Sequence, residues 1–145
     1  MIKLISTFFY IGYFRFAPGS AASLAGAVIC YPLQSHMALY IAVWAAVTIA
    51  GFVFAGHMEK IAGKKDPSCV VIDEVSGMMI AFFLLPLKWP VVVTAFFLFR
   101  AFDMFKIYPA DKLESLPGAA GIMMDDIAAG IYTNIIMQVA IRFVG

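Results

Sequence analysis

Charge is what this chain has least of. Ten Lys or Arg and nine Asp or Glu make up 13% of its 145 residues, and 63% are hydrophobic, against about 25% charged and 45–50% apolar in a soluble domain. That balance excludes an ordinary water-soluble domain and points to a single membrane domain over residues 1–145. The net charge is +1 and no long Lys/Arg run occurs, so the concentrated basic surface of a nucleic-acid binder is missing. Cysteine is nearly absent too. Cys30 and Cys69 show neither CxxC spacing nor a His cluster nearby, so no disulfide framework or zinc site is expected and both read as small buried hydrophobes. The apolar N-terminus, MIKLISTFFYIGYF, has no small-residue cleavage site before Arg15 and Pro18; it is expected to be retained as a helix at the membrane interface.

Long apolar stretches are what the chain does have. They run over residues 21–33, 37–56, 70–87, 89–102 and 122–144, separated by Pro- and Gly-bearing breaks. The pattern predicts an all-α, polytopic membrane bundle of about four to five apolar helices; only the second and fifth stretches reach the roughly 20 residues a spanning helix needs. If each stretch crosses, Lys3, Arg15, Lys60, Lys64, Lys65, Arg100, Lys106 and Lys112 share one side, and Lys88 and Arg142 the other. The positive-inside rule makes the first side cytoplasmic. All nine acids fall on that same side or within helix turns facing it, so one headgroup-level face concentrates the polar chemistry.

Carboxylates inside apolar stretches are costly and are usually paired, coordinated or functional. In VVIDEVSGMMIAFF, Asp73 and Glu74 come one turn into a segment, and Gly77 shares the Asp73 face and lets a neighbour approach. In FRAFDMFKIYP, Arg100, Asp103 and Lys106 follow i, i+3, i+6 spacing. That suits either a structural ion-pair ladder or a site where Asp103 holds a metal and the cations take phosphate oxygens. LPGAAG reads as a loop, with Asp125 and Asp126 opening the next helix, one facing the interior and the other a neighbour or the water side. APGSAAS reads as a turn with Ser20 as N-cap, a helix start able to hold an anion. Carboxylates without His or Cys suit a hard cation, Mg²⁺ above all, and Mg²⁺ with cations and a helix N-terminus describes phosphoryl chemistry. Asn134 and Gln138, deep in the last segment, are expected to make interhelical hydrogen bonds.

PGSAAS, DPSCVVIDEVSGM, FRAFDMFKIYP and GAAGIMMDDIAAG, in this order, resemble the motifs of the phosphatidylglycerophosphatase A family, bacterial Mg²⁺-dependent lipid phosphatases. The resemblance implies an all-helical inner-membrane enzyme with its site facing the cytoplasm, hydrolysing phosphatidylglycerophosphate to phosphatidylglycerol and inorganic phosphate. It carries catalytic roles onto Asp73, Glu74, Asp103 and Asp126, metal-binding roles onto these and Asp125, and phosphate-binding roles onto Arg100 and Lys106, with Ser20 in the first loop. The chain departs from the family pattern at Ser20, Ala22, Ile107 and Ala119. Signatures of other phosphatase chemistries are missing: no Cys is followed six residues later by Arg, and no DxDxT occurs. The DGxxAR signature of lipid-forming transferases is absent as well. Metal-assisted hydrolysis is the mechanism left, with the general base, the number of metals and a covalent aspartyl-phosphate all open. The rival reading is a non-enzymatic transport or cation- and proton-relay protein, which would place its acids near mid-membrane.

Overall fold

The computed structural model describes residues 2–13, 18–63, 70–105 and 118–144. These residues form helices and turns with no strand among them: α1 (Ile2–Ser6), a 3₁₀ turn (Ile11–Tyr13), α2 (Pro18–Leu33), α3 (Met37–Ala62), α4 (Ile72–Ala81), α5 (Trp89–Phe105) and α6 (Gly118–Val144). The all-helical class expected from the apolar runs is therefore present. Among the described residues, one helix is long and apolar enough to cross a membrane, over Met37–Ile61. α2 and α5 have 16 and 17 residues, about 25 Å at 1.5 Å per residue.

Local chemistry sets the ends. Pro18 opens α2, where its missing N–H costs nothing. α3 closes on Gly63 at φ 73°, whose N–H returns to the Glu59 carbonyl, the left-handed cap for which glycine carries no Cβ penalty. The N-terminal helix is shorter than expected. After Ser6 the backbone turns through Phe8, Tyr10 and the residue between them, all with positive φ, and α1 is tied to the bundle by Ser6 Oγ donating to Phe54 O and Val71 N–H donating to Ser6 O.

α4 is the centre. Eight of its ten residues are buried, and it packs against α2, α3, α5 and α6. The expected helix over 70–87 is corrected here: it stops at Ala81 and continues as a turn and an extended tail. Pro86 supplies the reason, since it donates no N–H and biases Leu85 away from helical geometry. Breaking a helix frees carbonyls, and buried carbonyls need partners. α6 provides them: Asn134 Nδ2 donates to Phe83 O at 2.6 Å and Ala81 O at 3.2 Å, and Gln138 Nε2 reaches Phe83 O at 3.4 Å. Tyr40 Oη donates to Met79 O and lies 3.1 Å from Cys30 Sγ. The interhelical role expected of both amides is thus observed, and Cys30 is buried as expected; Cys69 lies outside the described residues.

α4 and α6 run parallel and nearly touch. A Cβ on Gly77 would sit 2.6 Å from Asp126 O and 2.8 Å from the Phe99 ring, and one on Gly130 would collide with Gly77 O and come within 3.1 Å of Ile80 Cβ. Gly130→Ala meets backbone rather than a yielding side chain, so the helices must separate. We predict a loss of about 1–3 kcal/mol, the usual cost of overpacking. Asn134→Leu, which strips Ala81 O of its side-chain donor and leaves Phe83 O only the long Gln138 bond, should cost about 1–3 kcal/mol, and Gln138→Leu, losing that one long bond, distinctly less. Thermal unfolding in detergent checks the order; equal midpoints for Asn134→Leu and Gln138→Leu would contradict this account of the break.

Candidate active site

The tight crossing fixes what happens one turn earlier. Asp73 precedes Gly77 by four residues and Asp126 precedes Gly130 by four, so in parallel helices meeting at the glycines both carboxylates face the same seam. Asp125, beside Asp126, and Glu74, beside Asp73, widen the cluster. α5 runs antiparallel to α4 and brings Asp103 in from its last turn.

The result is two overlapping sets of carboxylates. Asp73, Asp125 and Asp126 offer oxygens all within 4.8 Å of one another, and so do Glu74, Asp103 and Asp126. Asp126 belongs to both. Asp73, Asp103, Asp125 and Asp126 are buried, and Glu74 is half-buried. Asp125 Oδ1 accepts the Asp126 N–H at 2.9 Å, while Asp126 Oδ1 is buried without a hydrogen-bond partner.

Arg100 is the cation that reaches the cluster among the described residues. Its Nη1 donates to Asp103 Oδ2 at 2.6 Å and lies 3.5 Å from Glu74 Oε1, whereas its Nε is buried with no hydrogen-bond partner. The ion-pair ladder is therefore real between Arg100 and Asp103, and it leaves donor capacity on the guanidinium. Lys106 lies outside the described residues. Glu74 also closes over α2: a Cβ on Gly19 would stand 2.6 Å from both Glu74 carboxylate oxygens, so the start of α2 forms a wall of the site.

The balance of charge is one-sided. With every group ionised, five carboxylates against Arg100 leave four uncompensated negative charges. Two like charges 4.8 Å apart repel by roughly 3–4 kcal/mol at an effective dielectric near 20. Such a cluster is stable only with protons or cations among the oxygens, and its all-oxygen donor set suits a hard metal ion. The cluster could hold one.

Two expectations need correction. α6 begins at Gly118, so Asp125 and Asp126 sit two turns inside it rather than opening it, and neither faces water. GAAG can be helical because Ala is the best helix former and neighbouring helices pay back what the glycines lose. Ser20 is likewise not an N-cap, since α2 starts at Pro18 and puts Ser20 in its first turn. Sequence reasoning missed Gly130 and Gly19. The signal for Gly130 was available, because DEVSG and DDIAAG each place a glycine four residues after an acid.

The family model described as phosphatidylglycerophosphatase A matches residues 4–141. A Bacteroides thetaiotaomicron protein provisionally named phosphatidylinositol-3-phosphatase is 36% identical, covering 98% of this chain and 94% of its own length. Phosphatidylglycerophosphatase A of Haemophilus influenzae is 32% identical over 94% of this chain and 86% of its own, and that of Escherichia coli 33% over 88% and 76%. No solved structure gives a significant match. Buried carboxylates gathered on one seam, and relatives named for removing phosphate from lipid headgroups, lead to one assignment: the chain belongs to the phosphatidylglycerophosphatase A family of phosphatases.

Proposed function

We propose that the chain is a single-domain, multi-pass lipid phosphatase of the bacterial inner membrane, hydrolysing phosphatidylglycerophosphate at its cytoplasmic face with Mg²⁺. The convergence of Asp73, Glu74, Asp103, Asp125 and Asp126 with Arg100 carries this reading. The multi-pass part rests on the surface: Val28 of α2, Ile49 of α3, Phe97 of α5 and Ile135 of α6 are all more than half exposed, and apolar surface spread over four helices suits lipid rather than water. Membership of an enzyme family stands against the transport or relay alternative.

Asp126, shared between both carboxylate sets, fits as the central metal ligand, with Asp73 and Asp125 on one side and Glu74 and Asp103 on the other. The orphaned Asp126 Oδ1 is the kind of buried acceptor a hard cation satisfies. Mg²⁺ bound there supplies charge stabilisation to the phosphoryl oxygens. Arg100, steered by Asp103, turns its remaining N–H groups to the phosphate, and Lys106 and the α2 start near Ser20 are proposed to assist. A carboxylate of the cluster takes the proton of the attacking water and a proton is delivered to the glycerol oxygen as its P–O bond breaks, giving phosphatidylglycerol and inorganic phosphate. The Bacteroides relative's name makes phosphatidylinositol 3-phosphate the competing headgroup. Both are phosphomonoesters on a glycerophospholipid, so the cluster chemistry is common to them.

Phosphate release from each lipid in mixed micelles decides between the headgroups. Phosphatidylglycerophosphate is expected to give the higher kcat/KM; a higher value for phosphatidylinositol 3-phosphate would reassign the substrate. Chelation should abolish turnover and Mg²⁺ restore it. Asp73→Asn, Asp103→Asn and Asp126→Asn should each lower kcat by about two orders of magnitude or more with the fold retained, the usual scale for a lost metal ligand or charge-stabilising group. Near-normal activity in any two would remove those residues from the site. For topology, a Cys placed at position 64 or 112 should react with an impermeant thiol reagent only from the cytoplasmic side of oriented vesicles; reaction from outside alone would invert the arrangement.

A further inference from the structure

The seam that holds the carboxylates continues deeper. Below them, between α3, α4 and α6, lies a cleft of about 360 Å³ lined by Tyr40, Trp44, Met79, Phe83, Ile131 and Ile135, among others. From Asp73 to Met79 along α4, and from Asp126 to the Ile131–Ile135 stretch of α6, the offset is about 10 Å of helical rise. On α3, Thr48 hydrogen-bonds Ser76 one turn below the cluster, and Trp44 is one turn further down. All three helices therefore place the cleft at the same depth.

Its exposed lining is apolar, because Tyr40 and Asn134 turn their polar groups to carbonyls at and just beyond the end of α4. The cleft opens sideways past Ile41, Ile131 and Ile135, which are 46%, 44% and 56% exposed. Ile41 and Trp44 belong to the helix long and apolar enough to cross a membrane, so in the multi-pass reading proposed above this mouth faces acyl chains rather than water.

We propose that this cleft binds an acyl chain of the lipid substrate. This rests on the lipid-phosphatase reading and adds a second point of recognition to it. The offset of about 10 Å is comparable with the span from a terminal headgroup phosphate to the acyl esters of the same lipid, so one molecule bridges both places. A largely apolar lining is the usual make-up of a pocket for an apolar ligand. Holding the chain fixes the depth at which the phosphate meets Asp126 and Arg100, which is a positioning contribution to the reaction.

The test fills the cleft from its rim. Ile131→Phe, Ile135→Phe and, from the opposite wall, Ile41→Phe change exposed positions and should leave folding intact. With dioleoyl phosphatidylglycerophosphate, each is expected to lower kcat/KM about tenfold through KM, equivalent to losing the burial of about two methylenes, while kcat/KM for the dihexanoyl lipid stays within about twofold. A readout independent of turnover uses Trp44 fluorescence in a Trp89→Phe background, titrated with phosphatidylglycerophosphate carrying mid-chain bromines. Quenching should saturate at low mole fraction in the parent and rise only in proportion to mole fraction in the filled variants. Unchanged kinetics on both lipids, with saturation retained in every filled variant, would overturn the proposal and leave the phosphatase reading standing. Saturable quenching without phosphate release by the wild type would support the cleft and defeat the phosphatase reading.

Discussion

The close parallel crossing of α4 and α6 at Gly77 and Gly130 is the contact on which the rest of the molecule depends. Two helices approach until the Cβ position of one glycine is occupied by the backbone of the other, a distance that only residues without side chains permit. Because each glycine follows an aspartate by one turn, the crossing converts two acids far apart in the sequence into one buried seam. Asp126 then stands where both carboxylate sets meet. The repulsion among those groups is not relieved by Arg100 alone, so protons or a cation must share the oxygens.

The same pair of helices resolves a second conflict. Ending α4 after ten residues opens space beside α6 but frees carbonyls that need partners. Asn134 and Gln138, on the α6 face below Gly130, satisfy them, and Tyr40 covers Met79 O from α3. α6 thus supplies acids above the crossing and amides below it. The cleft between α3, α4 and α6 is the space this arrangement leaves, and its position under the carboxylates follows from helical rise alone.

Much of this was legible in the sequence, for a physical reason. Asp73, Glu74, Asp103, Asp125 and Asp126 stand out because a carboxylate in an apolar run is expensive, and Asn134 and Gln138 stand out the same way. Gly77 was readable as a point of close approach. What the sequence did not reveal is which segment meets it: Gly130 becomes its partner only once α4 and α6 are known to run parallel, a tertiary fact. The break at Ala81 was hidden because AFFLL is as apolar as the helix before it, and a chain that stops being helical while staying apolar leaves no change in hydropathy. GAAG and PGS misled for the opposite reason. Their glycine and proline signal loops locally, and both lie in helices.

The central claim is that the α4–α6 seam, through Asp126, binds a hard divalent cation. Electron paramagnetic resonance of Mn²⁺ titrated into the purified protein in micelles tests it directly, since bound Mn²⁺ loses the sharp signal of the free ion and competes with Mg²⁺ for oxygen sites. The account predicts saturable Mn²⁺ binding that Mg²⁺ displaces and that Asp126→Asn abolishes or weakens by about tenfold or more. Wild-type protein that leaves the Mn²⁺ signal unchanged, or an Asp126→Asn variant that binds it as tightly as the wild type, would contradict it.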